Sequence, residues 1–212
     1  MKKYYTREKV LEIRKDIMKA AESLYKKHGY EYVNLLRIST LTNLSRPSIY
    51  NYYHSKEEIF LDILLREYNS LGNDIKKTLG KKKVDGETLA NELSEVILKH
   101  LYLLKLISSY ENAIEENSSS EHLKEYREEW EKGYYSDFME TLTVQFPEAS
   151  RQEKDDIINL FTTALYGIYP MICPSEERIA SMKERGTFKE MDRHKFVSKA
   201  IKLLLSNIDW RN

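Results

Sequence analysis

The sequence contains few of the residues that mark disulfide-linked, strand-rich or membrane-spanning proteins. Its 212 residues include a single cysteine, Cys173, which excludes an intramolecular disulfide and a cysteine-rich metal site. Seven glycines, four prolines and the lack of an alternating apolar and polar run argue against β-strands. The most apolar stretch, residues 160–173, is too short to span a bilayer. These absences predict an all-α, cytoplasmic protein with no membrane segment, and the lone cysteine fits a reducing compartment.

Signatures of catalysis and of metal binding are also missing. The sequence has no HExxH motif, no glycine-rich phosphate loop and no GxSxG motif. Its five histidines are scattered at positions 28, 54, 100, 122 and 194. Glu115, Glu116, Glu121 and His122 could hold a metal, but a solvated helix end is the favoured interpretation of that cluster. We therefore expect neither an enzyme nor a bound metal or other cofactor.

The net charge of zero hides an uneven distribution along the chain. Residues 1–55 hold 11 Lys and Arg against five Asp and Glu, a net of +6. Residues 56–212 hold 23 against 29, a net of −6. A basic segment followed by an acidic body predicts a polyanionic partner for the first part only. The alternative is a chance excess of solvated lysines, and charge alone does not separate the two.

Residues 34–58, NLLRISTLTNLSRPSIYNYYHSKEE, form the most informative stretch. Apolar residues at helical spacing up to Leu41 predict a first short helix, and Asn43 is expected to close the following turn in the left-handed conformation. Ser45 is expected to cap a second helix over residues 46–52, with Pro47 in its first turn. Residues 55–58, SKEE, predict a capping box that begins a third helix.

This stretch resembles the N-terminal domain of tetracycline-repressor (TetR) type transcriptional regulators. The resemblance is carried by residues 38–39, 43–45, 49–53 and 55–57, and by AAESL at 20–24 and HGY at 28–30. It covers about the first quarter of the chain, in order and in register. It implies an N-terminal three-helix helix-turn-helix DNA-binding domain, residues 1–55. A helical ligand-binding and dimerisation domain, residues 56–212, would follow.

The resemblance also implies which side chains contact DNA. The family's usual contacts correspond to Arg46, Pro47, Tyr50, Asn51 and Tyr52. Ser48 is a further candidate for base edges or phosphates, because it shares the short helix that would enter the major groove. Lys56 is expected to hold a phosphate, since its charge and the free N–H groups at a helix start both attract an anion.

Other residues near this stretch carry secondary expectations. Ile49 and Tyr53 should face inward. Leu41, where the family often has a charged residue, could add a packing contact. Lys2, Lys3 and Arg7 could form an arm that contacts DNA, although a frayed terminus is the favoured alternative.

The remaining sequence predicts long helices. Apolar spacing indicates helices over residues 7–27, 56–79, 89–110, 118–145, 150–172 and 192–208, with a short helix after Ser175. Ser118 and Ser150 each precede a glutamate by three residues, which predicts two further capping boxes. Gly29 is expected to end the first helix.

The body of the chain offers candidates for a small-molecule site. Pockets combine apolar walls with a few polar groups, and the middle helices carry many aromatic residues, although core packing explains each of them equally well. The candidates are Tyr102, Tyr110, Asn112, Trp130, Tyr134, Phe138, Phe161 and Tyr166. By resemblance, a ligand there would tilt the long third helix and spread two DNA-binding domains.

The two long C-terminal helices, residues 150–172 and 192–208, supply a surface for self-association. The resemblance implies that they form a four-helix bundle in a homodimer, and homodimers are the commonest soluble oligomers. The alternative is that both helices only build the core of one chain.

These expectations combine into a functional hypothesis. The chain is predicted to be a homodimeric, sequence-specific DNA-binding transcriptional regulator, a repressor that a small-molecule effector releases from a palindromic double-stranded DNA operator. The alternative is a helical interaction protein that is tethered nonspecifically to DNA and has no effector. A ratio near one between its affinities for an operator-like and a random duplex would favour that alternative.

Overall fold

The computed structural model describes residues 6–206, and this part of the chain is helical, with no β-strand. The predicted all-α class is therefore confirmed. The helices are α1 (Arg7–His28), α2 (Leu35–Ser39), α3 (Arg46–Ile49), α4 (Lys56–Leu79), α5 (Gly86–Lys99), α6 (Leu101–Glu116), α7 (Ser120–Trp130), α8 (Ser136–Gln145), α9 (Arg151–Ile172), α10 (Glu176–Glu184) and α11 (Arg193–Ser206). A 3₁₀ turn, Tyr30–Tyr32, follows α1, and a π-helical segment, Glu131–Tyr135, joins α7 to α8.

The described residues divide into two compact units. The first unit contains the described part of Met1–Leu65 together with Asn112–Arg127. The second unit contains Arg66–Glu111 and the described part of Glu128–Asn212. Helices α4, α6 and α7 each contribute residues to both units. The division into a DNA-binding domain over residues 1–55 and an effector domain over residues 56–212 remains a prediction.

Several helix ends follow from local hydrogen bonding, as predicted. Gly29 ends α1 with φ +85°, a conformation that a side chain disfavours, and its N–H donates to the carbonyl of Tyr25 at 2.8 Å. Ser150 and Glu153 form a complete capping box at the start of α9. Ser175 caps α10, its hydroxyl accepting from the N–H of Arg178.

The first unit has its own apolar core. Side chains from α1, α2, α3 and α4 are completely buried in it, including Ile17, Ile38, Ile49 and Phe60. Each such side chain stabilises the fold by roughly 1.5–3 kcal/mol relative to an exposed position. Ile49 and Tyr53 are 0% exposed, which confirms that both face inward.

The second half of α4 contributes to the core of the second unit. Leu71 and Ile75 are completely buried there, and Tyr134, Phe138 and Leu165 come from the later helices. Helix α11 packs on α5 and α9. The hydroxyl of Ser198 on α11 donates to the side-chain oxygen of Asn91 on α5 at 2.6 Å.

Two predicted helices are interrupted in the structure. The helix expected over residues 89–110 is two helices that meet at His100, whose φ and ψ are −104° and 33°. Its ring lies 3.1 Å from the carboxylate of Asp74 on α4, a contact that local spacing does not reveal. The helix expected over residues 118–145 is broken by the π-helical segment, where Asn69 of α4 accepts a hydrogen bond from the N–H of Tyr134.

Two predicted capping boxes differ from the observed hydrogen bonds. Ser119 rather than Ser118 caps α7, because the hydroxyl of Ser118 donates to the carbonyl of Ile114 instead. At α4, Ser55 accepts from the N–H of Glu58 as predicted, but the Glu58 carboxylate accepts from the N–H of His54 and not from that of Ser55.

Within residues 6–206, no single helix is long and apolar enough to cross a membrane. Helices α9 and α10, bent by 60° relative to each other, are long and apolar enough for a membrane span only when taken together. The buried core helices of a soluble protein can have the same length and composition.

Candidate nucleic-acid interface

The helix-turn-helix begins with a capped short helix. The side chain of Asn34 accepts a hydrogen bond from the N–H of Arg37 at 2.9 Å and so starts α2. Leu35 and Ile38 point into the core of the first unit. Five residues are too few for a stable isolated helix, so α2 depends on this burial.

The predicted turn is wrong at Asn43. Leu41 lies beyond the end of α2 and is 54% exposed, and the packing contact considered for it stays a prediction. Asn43 is not left-handed, because the only described residues with positive φ are Gly29 and Gly186. The turn is closed instead by the N–H groups of Thr40 and Leu41, which donate to carbonyls of α2.

The second helix is shorter than predicted. Ser45 caps α3 by accepting from the N–H of Ser48, and Pro47 lies in the first turn, where its missing N–H costs nothing. The α-helix ends at Ile49, and residues 50–52 continue as turns. The buried side chains of Ile49 and Tyr53 anchor residues 50–52 on either side.

Most of the side chains predicted to contact DNA are accessible in residues 46–52. Arg46, Pro47, Tyr50 and Asn51 are exposed, whereas Ser48 and Tyr52 are half-buried. The guanidinium of Arg46 donates to the hydroxyl of Tyr50 at 3.1 Å, which places two donor-bearing groups side by side. The burial pattern thus separates an anchoring face from an outward polar face, and the contacts themselves stay predictions.

Lys56 is held more firmly than a solvated lysine. Its ammonium group donates to the carbonyl of Tyr30 at 3.3 Å and lies 4.1 Å above the ring of the same residue. The carboxylate of Glu31 is 3.8 Å away. The phosphate contact predicted for Lys56 would therefore use a preorganised amine at the start of α4.

Arg37 on α2 was not among the residues predicted to contact DNA. Its guanidinium stacks on the ring of Tyr32 at 3.7 Å and donates to the Tyr32 carbonyl at 2.8 Å. It is the only Lys or Arg between Lys27 and Arg46, which is the signal that could have identified it. The predicted arm residues Lys2 and Lys3 lie outside the described residues, and Arg7 is exposed at the start of α1.

In the second unit, four of the predicted effector residues come together. Trp130, Tyr134, Phe138 and Phe161 form a continuous series of ring contacts, with centroids 5.3, 6.0 and 4.8 Å apart. Burial raises the pKa of the Tyr134 hydroxyl, which contacts Thr162. Tyr102 and Tyr110 are half-buried, and Tyr166 is 37% exposed. An effector role for these seven residues and for Asn112 stays a prediction.

Next to this series lies a small apolar cavity between α5, α8, α9 and α11. Its free volume is only about 10 Å³, which is about the space of one water molecule. Leu79, Leu89, Leu93, Phe138 and Phe161 contribute to the lining. The amide of Gln145 also borders the cavity, but it donates to the carbonyls of Leu79 and Lys82. The cavity therefore presents apolar walls.

The acidic cluster considered for a metal is arranged differently. The His122 imidazole lies 2.8 Å from the carboxylate of Asp62. Within the part of the chain that the structure describes, no group of three or more His, Cys, Asp or Glu side chains is placed to hold a metal ion.

Two family models together match most of the described chain. Residues 17–63 match the model of bacterial regulatory proteins of the tetR family. Residues 65–193 match the model of the tetracyclin repressor-like C-terminal domain. No curated protein matches the sequence.

Two solved structures have a similar fold. A fatty acid degradation regulator, FadR, from Bacillus halodurans is 18% identical with a TM-score of 0.54, over 98% of this chain and 99% of that one. A transcriptional regulator of the TetR/AcrR family from Thermobifida fusca is 20% identical with a TM-score of 0.58, over 92% and 98%. Because the second family model covers more than half of the sequence, the chain belongs to the TetR family of DNA-binding transcriptional regulators.

Proposed function

We propose that this regulator is a repressor that binds a palindromic operator as a cytoplasmic homodimer and is released by a small-molecule effector. The observation that carries the proposal is the outward polar face of residues 46–52, anchored by the buried side chains of Ile49 and Tyr53. A short helix presented in this way can enter the major groove, where base edges offer a distinguishable pattern of donors and acceptors.

Arg46, Pro47, Ser48, Tyr50, Asn51 and Tyr52 would form the DNA contact, with Lys56 on a flanking phosphate. Arg46 and Asn51 carry the side chains that most often read guanine and adenine. Tyr50 would orient the Arg46 guanidinium through the 3.1 Å hydrogen bond between them.

The proposed homodimer would use α9 and α11. Leu160 and Met171 on α9 are 50% and 43% exposed, although the opposite side of this helix is buried in the second unit. Leu160 and Met171 lie about three helical turns apart and therefore on the same side of α9. Exposed apolar groups on one side of a helix support an interface between protein chains there. Two DNA-binding units related by two-fold symmetry would reach half-sites about 34 Å apart.

The proposed effector is an apolar molecule. The lining of the cavity beside Phe138 and Phe161 supports this class, because its polar neighbour Gln145 already has hydrogen-bond partners. The similar protein from Bacillus halodurans is a regulator of fatty acid degradation, which makes linear fatty acids the first class to test. The ligand would have to enlarge the cavity, and that expansion is the conformational change that it would drive.

A selection from random duplexes tests the operator. The full chain should enrich a palindromic sequence, and the enriched duplex should bind at least about 1,000-fold more tightly than a random duplex at the same salt concentration. A double variant, R46A with Y50A, should stay folded and lose this preference. No enrichment, or a ratio near one, would instead support the nonspecifically tethered interaction protein.

The effector class is tested on the enriched duplex. Fluorescence anisotropy of the labelled duplex should fall when a linear fatty acid of about ten to sixteen carbons is added, a chain length that would fill the cavity once it has enlarged to the volume of an ordinary ligand pocket. Release by a polar metabolite but by no fatty acid would contradict the apolar assignment while leaving the operator result intact.

A further inference from the structure

A cluster of charged and hydrogen-bonded side chains in the first unit joins parts of the chain that are far apart in sequence. Its centre is formed by two carboxylates on α4, Glu58 and Asp62, which lie one helical turn apart and therefore on the same face. Glu58 is 2% exposed, and the side chain of Asp62 is 21% exposed. Carboxylates removed from water in this way need donors, and the donors identify what the cluster holds together.

Asp62 accepts a hydrogen bond from Tyr53, the residue directly after the proposed DNA-contacting segment, residues 46–52. The hydroxyl of Tyr53 donates to Asp62 Oδ2 at 2.6 Å, and a guanidinium nitrogen of Arg14 on α1 is 3.4 Å from the same oxygen. The Tyr53 side chain is completely buried. Burial, together with the charge of Asp62, raises the pKa of the Tyr53 hydroxyl, which keeps it a donor.

The other oxygen of Asp62 is occupied by a residue from much later in the sequence. Nε2 of His122 on α7 lies 2.8 Å from Asp62 Oδ1, and the His122 ring is 5.9 Å from the ring of Tyr53. His122 is itself 8% exposed. It therefore closes the cluster around Tyr53 both through the carboxylate and through ring packing.

A second contact follows the same pattern one turn earlier. Glu58 accepts from the N–H of His54 at 2.7 Å and from the hydroxyl of Ser119 at 2.6 Å. Burial favours the neutral form of Glu58, but the hydrogen bonds from Ser119 and His54 outweigh it and lower the pKa of Glu58. The start of α7 is thus tied to both carboxylates that hold residues 53 and 54.

His122 and Ser119 lie within residues 65–193, which match the family's C-terminal domain, yet their contacts belong to the first unit. We propose that His122, assisted by Ser119, is a positioning residue for DNA recognition that acts through Asp62 and Tyr53 on residues 46–52. The proposal rests on the DNA contacts proposed above. Neither residue needs to touch DNA, because Tyr53 follows the contacting segment directly and fixes its end.

The test compares variants of the full chain on two duplexes, the palindrome enriched by selection and a random duplex of equal length. H122A should bind the palindrome about tenfold more weakly, the effect of one hydrogen bond to a charged group. H122Q keeps a donor near the Nε2 position and should recover most of that loss. Affinity for the random duplex should change less than about twofold, because it depends on phosphate contacts.

Adjacent serines provide a matched control. S119A should weaken binding to the palindrome, whereas S119T, which keeps the hydroxyl, should bind it about as tightly as the wild type does. S120A should behave as wild type, because Ser120 is exposed and the hydroxyl that donates to Glu58 belongs to its neighbour, Ser119. Each variant is checked for folding by circular dichroism and thermal unfolding.

Two results would overturn the proposal. One is a folded H122A or S119A variant that keeps wild-type affinity for the palindrome. The other is equal loss on both duplexes with a lowered melting temperature and no recovery in H122Q or S119T, which would assign these residues a role in stability only. Failure of the selection to yield any palindrome would be a separate result, and it would contradict the proposed operator binding instead.

Discussion

The side-chain oxygen of Asn69 on α4 accepts a hydrogen bond of 3.0 Å from the backbone N–H of Tyr134 in the π-helical segment. A π-helical turn disrupts the ordinary i to i−4 hydrogen bonds, so an N–H at this position needs another acceptor. The contact lies within the second unit, beside the aromatic series that includes Trp130 and Phe138.

Replacing Asn69 should therefore destabilise the second unit. We expect N69A to lower the free energy of unfolding by about 1–3 kcal/mol, because the buried Tyr134 N–H would lose its acceptor. N69D, which retains an oxygen at the same position, should lose less. Urea denaturation followed by circular dichroism measures both, and equal losses in the two variants would contradict a role for the acceptor.

Gly72 tests how closely α4 approaches the π-helical segment. A Cβ at this position would lie 2.9 Å from the Cα of Tyr134, and backbone cannot move aside cheaply. G72A should destabilise the protein by about 1–3 kcal/mol, although alanine favours helices more than glycine does. G86A is the matched control, because a Cβ at that position, at the start of α5, would meet no atom within 4 Å apart from its chain neighbours and the backbone of its own helix. A stabilised G72A variant would show that the helices can separate.

Glu58 should make stability depend on pH. Its folded-state pKa is lowered, so its stabilising contribution is present above the unfolded pKa of about 4.3 and is lost as the pH falls through the lower folded value. E58Q should reduce the free energy of unfolding at pH 7 by about 1–3 kcal/mol and flatten its decline at acidic pH. Urea denaturation at several pH values between about 3 and 7 measures this. E116Q, an exposed change in the same unit, should keep the wild-type profile.

The oligomeric state can be tested at one residue. Leu160 is 50% exposed on α9, and burying a glutamate in the proposed dimer interface would be costly. L160E should shift the protein from dimer to monomer in sedimentation velocity. L11E places the same change on α1, where Leu11 is 57% exposed, and should leave the dimer intact. A dimeric L160E variant would place the interface elsewhere.

Features that depend on neighbours in sequence were predictable. The caps at Ser45, Ser150 and Ser175 and the end of α1 at Gly29 involve hydrogen bonds between residues three or four positions apart, so the local residue types suffice to predict them. The same holds for the burial of Ile49 and Tyr53, because helical periodicity separates the inward from the outward face. The resemblance to the TetR family also rested on this local pattern.

Features that depend on distant partners were decided by the tertiary structure alone. Among the three consecutive serines at 118–120, the local capping-box pattern favours Ser118, which precedes Glu121 by three residues. Ser119 caps α7 instead, and its hydroxyl bonds to the distant Glu58. The break at His100 coincides with the contact to Asp74, and the π-helical segment coincides with the contact to Asn69. Asp62 and His122 are 60 positions apart, so no window of the sequence brings them together. Helical periodicity determined which residues could be buried in this protein, whereas tertiary packing determined which polar groups are buried beside them.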